Sequence, residues 1–243
     1  MIIYGINPVV EALRAGKVES LRIAGRGDAR LNSVLDAAKK AGVAITRVDQ
    51  GELDRASQGG VHQGVVALVV DRESLSPEDL VTGAAGAPLI VVLDGVEDPH
   101  NVGAILRTVD AAGASGVVRQ ERHAAPLGGA TAKASAGAVS HVKIADVVNI
   151  ARAVEQLKDA GVWTVGLAGD ADKRYDEIDY TLPTALVVGA EGAGIRRLVR
   201  ERCDWLVSIP MQGHVQSLNV SVATGVVLFE AVRQRLTRKP SST

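Results

Sequence analysis

The amino-acid sequence predicts an α/β protein whose larger part is built on a mostly parallel sheet. Short runs of Val, Leu, Ile and Ala without polar alternation recur between residues 89 and 209, and helix-periodic segments separate them. Such runs are typical of strands buried on both faces, and a sheet covered by helices on both faces is usually parallel. Aromatic residues make up only 2% of the chain, so aliphatic side chains must form the core.

The elements of this larger part follow from the residue pattern. A strand is expected near Leu89–Leu93, and the helix-periodic segment Val102–Ala112 after it stops at Gly113, a common residue just past a helix end. Further helices are expected near Val147–Ala160 and Ser217–Arg235. The other strands are expected near Gly116–Val118, Val142–Ile144, Val162–Leu167, Ala185–Val188 and Trp205–Ile209.

A change of composition separates residues 1–70 from residues 89–243. Residues 71–88 are acidic and then rich in Gly and Ala, which is typical of a linker, here with one helical turn begun by Ser76-Pro77-Glu78. Residues 1–70 are expected to form a small α/β unit close to the lower size limit for independent folding. Its helices are expected near Pro8–Ala15 and Ala29–Ala41, and its strands near Ser20–Ala24, Ala44–Val48 and Val65–Val70.

Composition argues against several classes of protein. The single cysteine, Cys203, excludes an internal disulfide framework, and the five histidines lack the spacing of metal ligands, so we expect no metal site. The sequence has neither a secretory N-terminal pattern nor an apolar run of membrane-spanning length, which predicts a soluble cytoplasmic protein. With a net charge of −1, any nucleic acid must be held by local basic patches.

Three segments in the C-terminal half carry the side chains best suited to chemistry. They are Asp98-Pro99-His100-Asn101-Val102-Gly103 followed by Arg107, then Gly189-Ala190-Glu191-Gly192-Ala193-Gly194, and then Ser217-Leu218-Asn219-Val220-Ser221. Each interrupts an apolar run with polar residues or glycines. Because loops at the carboxyl ends of parallel strands meet at one edge of the sheet, the segments predict one composite site and hence an enzyme.

The same residues also fit simpler roles. Asn101 is a good N-cap for a helix that starts at Val102, and Arg107 fits a solvated helix face. Glu191 fits an exposed turn between glycines, and Ser217 or Asn219 fits the cap of the final helix.

The common nucleotide and hydrolase motifs are missing from the sequence. It contains no Gly-x-Gly-x-x-Gly after a first strand, no phosphate-binding Gly-x-x-x-x-Gly-Lys-Ser/Thr and no Gly-x-Ser-x-Gly elbow. A Rossmann-type oxidoreductase remains an alternative without its best support.

The three segments, in this order, resemble the motifs of the SpoU (TrmH-like) ribose methyltransferases. The third motif of the resemblance includes Ile209-Pro210-Met211 as well as Ser217–Ala223. Three other stretches resemble the RlmB branch of that family, which methylates large-subunit rRNA: Tyr4–Pro8, Val61–Gly64 and Ala130–Gly137. His214 and Gln216 depart from the usual pattern.

The resemblance implies methyl transfer from S-adenosyl-L-methionine to a ribose 2′-hydroxyl of RNA. It further implies a homodimer, a methyltransferase domain at 89–243 with a C-terminal deep trefoil knot (SPOUT-type), and a ribosomal-protein-like RNA-binding domain at 1–70. The implied substrate is a guanosine in the peptidyl-transferase region of 23S rRNA. A tRNA guanosine-2′-O-methyltransferase and a non-catalytic RNA-binding protein of the same fold remain alternatives. Candidate phosphate contacts are Arg22, Arg26, Arg30, Lys39 and Lys40.

The resemblance also implies roles for individual residues. The implied catalytic residues are Asn101, Arg107, Glu191, Ser217 and Asn219, and the implied cofactor contacts are Gly189, Ile209 and Leu218, with Leu167 and Ala168 expected to border the same pocket. Two roles are open for Arg107. It either acts as a deprotonated base, or stays charged, clamps an RNA phosphate and lowers the pKa of the ribose hydroxyl.

Overall fold

The computed structural model describes residues 1–25, 29–70 and 72–237, without the side chains of Ala29 and Arg30. This part of the chain divides into two compact units. The first unit contains Met1–Glu73, Val102–Arg107 and Ala125–His141, and the second contains Ser74–Asn101, Thr108–Ala124 and the described chain from Val142 onward. Each unit has its own sheet.

The described chain contains eleven strands and nine α-helices. The strands are β1 (Ile2–Tyr4), β2 (Val18–Ile23), β3 (Ile45–Arg47), β4 (Val65–Val69), β5 (Leu89–Asp94), β6 (Gly116–Gln120), β7 (Ile144–Val147), β8 (Trp163–Leu167), β9 (Lys173–Arg174), β10 (Thr184–Gly189) and β11 (Trp205–Ser208). The helices are α1 (Ile6–Arg14), α2 (Ala29–Ala41), α3 (Gln50–Ala56), α4 (Pro77–Thr82), α5 (Pro99–Ala111), α6 (Gly129–Ala134), α7 (Ile150–Asp159), α8 (Arg197–Arg200) and α9 (Val220–Thr237).

The first unit is built on a mixed four-stranded sheet in the order β1-β4-β2-β3. Strand β4 is antiparallel to both neighbours, and β3 is parallel to β2. Helix α1 buries Val9, Val10, Ala12 and Leu13 and packs against α2 and β4. These aliphatic side chains form the core of the unit.

The Val61–Gly64 stretch ties two helices of the first unit together. Gln63 Oε1 accepts a hydrogen bond from the Ile6 N–H at the start of α1, at 3.0 Å. His62 is buried, and its Nδ1 accepts from the Gly64 N–H at 3.0 Å. Because Nδ1 is an acceptor, Nε2 carries the proton and donates to Asp54 of α3 at 3.1 Å. The stretch therefore has a structural role.

The Ala130–Gly137 stretch also packs within the first unit. It forms most of α6 and the turn after it, and α6 contacts β1. Gly137 has a φ of 95°, and a Cβ at this position would lie 2.6 Å from the Cβ of Glu11. Glycine is therefore needed here for both backbone conformation and space.

The second unit is built on a seven-stranded parallel sheet in the order β7-β6-β5-β10-β8-β11-β9. One face forms the core with α4, α7 and α8, through residues such as Ile90, Val187 and Leu157. Helix α9 packs against β10. At the end of α9, Arg235 donates to four main-chain carbonyls: Tyr180, Ala87, Pro88 and Leu182. The predicted α/β fold with a parallel sheet is confirmed.

Helices α5 and α9 do not begin at the predicted residues. Helix α5 begins at Pro99, and Asp98 caps it by accepting from the His100 N–H at 3.1 Å. The idea that Asn101 caps a helix starting at Val102 is therefore wrong. Proline at the first helical position, with Asp before it, is the standard start signal and explains the earlier start. Helix α9 begins at Val220 rather than Ser217.

Some short elements were not predicted: β1, β9, α3, α6 and α8. Three of the five candidate phosphate contacts have described side chains. Arg22 is exposed between the buried Leu21 and Ile23 of β2, and Lys39 and Lys40 are exposed in the last turn of α2. Arg26 and the Arg30 side chain lie outside the described residues.

Candidate active site

A cavity of about 530 Å³ opens at the carboxyl ends of β8, β10 and β11. Ligands in parallel α/β sheets commonly bind at this edge, and the volume is in the range of small-molecule sites. The lining residues are Leu167, Ala168, Gly169, Val188, Gly189, Ala190, Glu191, Gly192, Gly194, Ile209, Met211, Gln216, Ser217, Leu218, Asn219, Val220 and Ala223. All three segments that follow these strands therefore contribute to one cavity.

The cavity wall combines aliphatic side chains with main chain. Leu167, Ala168, Gly189, Ile209 and Leu218, the expected cofactor contacts, all line it. The sequence reasoning missed other lining residues, including Met211 and Val220. Both are apolar residues inside the third motif, so membership of that motif could have identified them as cavity-lining residues.

Close backbone approach explains the glycine at the end of β10. A Cβ on Gly189 would lie 2.0 Å from the carbonyl carbon of Gly194, which is far too close for any side chain. The chain turns back here, because Gly194 N–H donates to the Ala190 carbonyl at 2.8 Å and the two residues form a β-bridge. Gly192 and Gly194 have φ values of 77° and 66°, which favour glycine.

A polar cluster lies beside the cavity and joins the three motifs. Asn219 Nδ2 donates to Asn101 Oδ1 at 2.9 Å and to Glu191 Oε1 at 2.7 Å. Asn101 is buried in the first turn of α5, whereas Glu191 and Asn219 are exposed. Three residues separated widely in sequence thus form one hydrogen-bonded group.

The cap of α9 fixes the orientation of the Asn219 amide. Asn219 Oδ1 accepts from the Ser221 N–H at 2.9 Å, from the Val222 N–H at 3.4 Å and from the Ser221 hydroxyl. Because the oxygen faces the helix end, the amide nitrogen must face Asn101 and Glu191. The expected helix-capping role is confirmed for Asn219, and this role coexists with its place in the cluster.

The other two expected catalytic residues, Ser217 and Arg107, form no hydrogen bond with this group in the described structure. Ser217 lines the cavity and is exposed. Arg107 is exposed on α5, six residues after Asn101, in the helix segment assigned to the first unit. No described residue forms a hydrogen bond or ion pair with the Arg107 guanidinium. The atypical Gln216 lines the cavity, and the atypical His214 is exposed.

Asp94 and Arg196 are site-adjacent residues that the sequence reasoning missed. Asp94 ends β5, is fully buried and pairs with Gly189 in the sheet. Arg196 follows the glycine-rich segment and binds the Asp94 carboxylate. The signal in the sequence was an acidic residue directly after the apolar run that forms β5.

The described part of the chain holds no group of three or more His, Cys, Asp or Glu side chains that could bind a metal ion. None of its helices is long and apolar enough to cross a membrane.

Family models match the two parts of the sequence separately. Residues 88–229 match the SpoU rRNA Methylase family, and residues 2–75 match the family described as RNA 2′-O ribose methyltransferase substrate binding. The chain is 46% identical over 245 aligned positions to the 23S rRNA (guanosine-2′-O-)-methyltransferase RlmB of Pseudomonas syringae pv. tomato, covering 98% of each chain.

Solved structures give the same relationship. The SpoU methyltransferase AviRb from Streptomyces viridochromogenes matches with a TM-score of 0.81 at 28% identity, over 98% of this chain and 90% of that one. AviRb in complex with AdoMet matches with a TM-score of 0.80 at 27% identity, over 98% and 91% of the two chains. Together with the motif geometry, these matches confirm that the chain belongs to the SpoU rRNA methylase family.

Proposed function

We propose that this protein transfers a methyl group from S-adenosyl-L-methionine to the ribose 2′-hydroxyl of a guanosine in 23S rRNA. The hydrogen-bonded group of Asn101, Glu191 and Asn219 beside the cavity carries the proposal, because it unites the three family motifs. The relatives named for 23S rRNA guanosine methylation cover nearly the whole chain. We place the target in the peptidyl-transferase region, the substrate implied by the RlmB-like stretches.

The cavity fits a cofactor with an adenine and a methionine part. Its aliphatic walls, including Ile209 and Leu218, suit the apolar surfaces of such a molecule, and the main chain around Gly189 offers hydrogen-bonding groups. We propose that Leu167, Ala168, Gly189, Ile209 and Leu218 hold it. When bound, S-adenosyl-L-methionine supplies an electrophilic methyl group on a sulfonium.

The residues beside the cavity would orient the ribose. We propose that Asn101, Glu191, Ser217 and Asn219 position the hydroxyl, since in-line alignment alone lowers a barrier by roughly 7–11 kcal/mol. For Arg107 we favour the role of a charged clamp on an RNA phosphate. Its guanidinium is exposed and has no carboxylate partner among the described residues, so its planar fork is available for bidentate binding.

The domain roles extend this proposal. We propose that residues 1–70 bind the RNA, that 71–88 form the linker and that 89–243 form a methyltransferase domain with a deep trefoil knot. Support for the knot comes from the family and from the insertion of β11 between β8 and β9. Exposed Val222 and Phe229 on α9 support a homodimer, and an rRNA substrate supports a cytoplasmic location.

The decisive experiment maps 2′-O-methyl groups on rRNA and tRNA from cells that lack the gene. We expect loss of one guanosine mark from 23S rRNA, restored by the purified protein with S-adenosyl-L-methionine. Loss of a tRNA mark instead would make tRNA the substrate, and unchanged RNA would favour a non-catalytic RNA-binding protein. Thermal unfolding tests the alternative of a Rossmann-type oxidoreductase, because S-adenosyl-L-methionine should raise the melting temperature of a methyltransferase and NAD should not.

A further inference from the structure

A buried carboxylate lies next to the glycine-rich wall of the cavity. Asp94 is the last residue of β5, pairs with Gly189 across the sheet and is 0% exposed. Removing a carboxylate from water is costly unless charged and hydrogen-bonded partners replace the water. The identity of those partners therefore indicates what the carboxylate does.

Arg196 supplies every hydrogen bond that the Asp94 carboxylate accepts from the described residues. The main-chain N–H of Arg196 donates to Oδ2 at 2.7 Å, its Nε donates to Oδ1 at 2.7 Å, and its Nη2 also contacts Oδ1. Nη2 donates as well to Gln120 Oε1 at 3.0 Å, at the end of β6. The main-chain bond fixes the backbone of residue 196, and the side-chain bonds join it to two neighbouring strands.

The segment that Arg196 follows is rich in glycine and is held internally by the Ala190–Gly194 bridge. Gly189–Ile195 contains three glycines, two of them with positive φ, and glycine restricts the backbone least of all residues. This segment lines the cavity and carries Glu191, which accepts from Asn219. Its position therefore depends on the residues that hold its ends.

We propose that Asp94 is a positioning residue for methyl transfer. Acting through Arg196, it holds the Gly189–Ile195 segment so that the main chain of the segment shapes the cavity and Glu191 reaches Asn219. The inference rests on the proposed function, because it assumes that S-adenosyl-L-methionine binds this cavity.

Asp94→Asn in the full-length protein tests the inference. The amide keeps the shape of the carboxylate but turns one acceptor oxygen into a donor facing the guanidinium, so hydrogen bonds to Arg196 are lost. Isothermal titration should show that the Kd for S-adenosyl-L-methionine rises about tenfold or more. Methylation assays should show a lower kcat, with the KM for RNA changed less than about twofold.

Two further variants separate positioning from general stability. Glu201→Gln breaks the neighbouring exposed Arg197–Glu201 ion pair, so it should bind and methylate like wild type. Arg196→Lys keeps the main-chain N–H and a positive charge, so it should lie between wild type and Asp94→Asn in cofactor affinity. If Asp94→Asn does not fold, as judged by circular dichroism, Arg196→Lys carries the test.

We also expect coupling between Asp94 and Glu191. If Asp94 acts through the segment that carries Glu191, the loss of kcat in Asp94→Asn with Glu191→Gln should be smaller than the product of the single losses. Folded variants that bind the cofactor as tightly as wild type, or that lose kcat independently of Glu191→Gln, would overturn the inference alone. Wild-type protein that binds no S-adenosyl-L-methionine would overturn it together with the proposed function.

Discussion

Substitutions of Asn219 should separate helix capping from catalysis. Asn219 uses its oxygen to cap α9 and its nitrogen to donate to Asn101 and Glu191. Asn219→Ala removes both functions, whereas Asn219→Asp keeps the capping oxygen and removes the donor. The two variants should therefore differ in stability and agree in activity.

The expected sizes follow from the contacts. Loss of the cap in Asn219→Ala costs about 1 kcal/mol, and loss of the exposed hydrogen bonds costs about 1 kcal/mol more. For a chain of this length, the melting temperature should fall by roughly 4–8 °C. Asn219→Asp keeps the cap but loses the same hydrogen bonds, at about 1 kcal/mol, and its repulsion from Glu191 of about 1 kcal/mol is offset by the attraction of a carboxylate to the helix N-terminus, about 0.3–1 kcal/mol. Its melting temperature should therefore fall by less than that of Asn219→Ala.

Activity should follow the donor rather than the cap. Both variants should lose about 100-fold in kcat, the loss expected for a reacting group misplaced by about 1 Å. Asn149→Ala is a matched control, because Asn149 caps α7 by accepting from the Arg152 N–H at 3.2 Å, outside the cavity lining. It should lose about 1 kcal/mol of stability and keep full activity. If the activities of the variants rank in the same order as their melting temperatures, the separation of roles is wrong.

Three other outcomes are expected. Arg107→Lys should abolish methylation yet leave the cofactor Kd from isothermal titration unchanged, because an ammonium cannot reproduce the planar fork; substantial activity would reduce Arg107 to a replaceable charge. Burial raises the pKa of the Cys203 thiol to about 12. Only about one molecule in ten thousand is then a thiolate at pH 8, so a maleimide should label Cys203 only after unfolding. Rapid labelling of the folded protein would contradict this. Burial opposes ionisation of Asp204, but hydrogen bonds from Lys158 and Thr164 outweigh it and lower its pKa below 3.8. Ionised Asp204 should therefore stabilise the fold above about pH 3.8, and this stabilisation should be lost as the pH falls through the lowered pKa. In urea unfolding, the free energy of unfolding of Asp204→Asn should be lower than that of wild type by about 1–3 kcal/mol at pH 7, and the difference should be smaller near pH 3.

Much of the second unit could be predicted because its strands are continuous apolar runs. The expected Leu89–Leu93 and Ala185–Val188 runs both lie within observed strands that are one or two residues longer. The missed α6 shows the limit of this reasoning. Its sequence of Gly, Ala, Thr and Lys has no strong helical periodicity, and burial of Thr131 and Ala132 accompanies the helix.

The site was predictable as three motifs but not as a set of contacts. The position of each motif after a strand or at the start of a helix predicted one composite site, and the resemblance to the SpoU family implied which residues would contact the cofactor. Neither gave any sign that one amide would join Asn101 to Glu191, or that Asp94 would bind Arg196. Both contacts join positions about one hundred residues apart, which neither periodicity nor local propensity encodes.

These two long-range contacts both connect the glycine-rich segment Gly189–Ile195 to other parts of the fold. The close approach of Gly189 to Gly194 excludes a side chain at Gly189, so the segment is ordered internally by the Ala190–Gly194 bridge and by the buried Ile195. Glu191 and Arg196 connect it in addition to the capped start of α9 and to the end of β5. A substitution at either anchor should affect the cavity even though the anchor itself need not touch the cofactor. Asp94, which lies outside the three motifs, thus helps to set the shape of the cavity through Arg196.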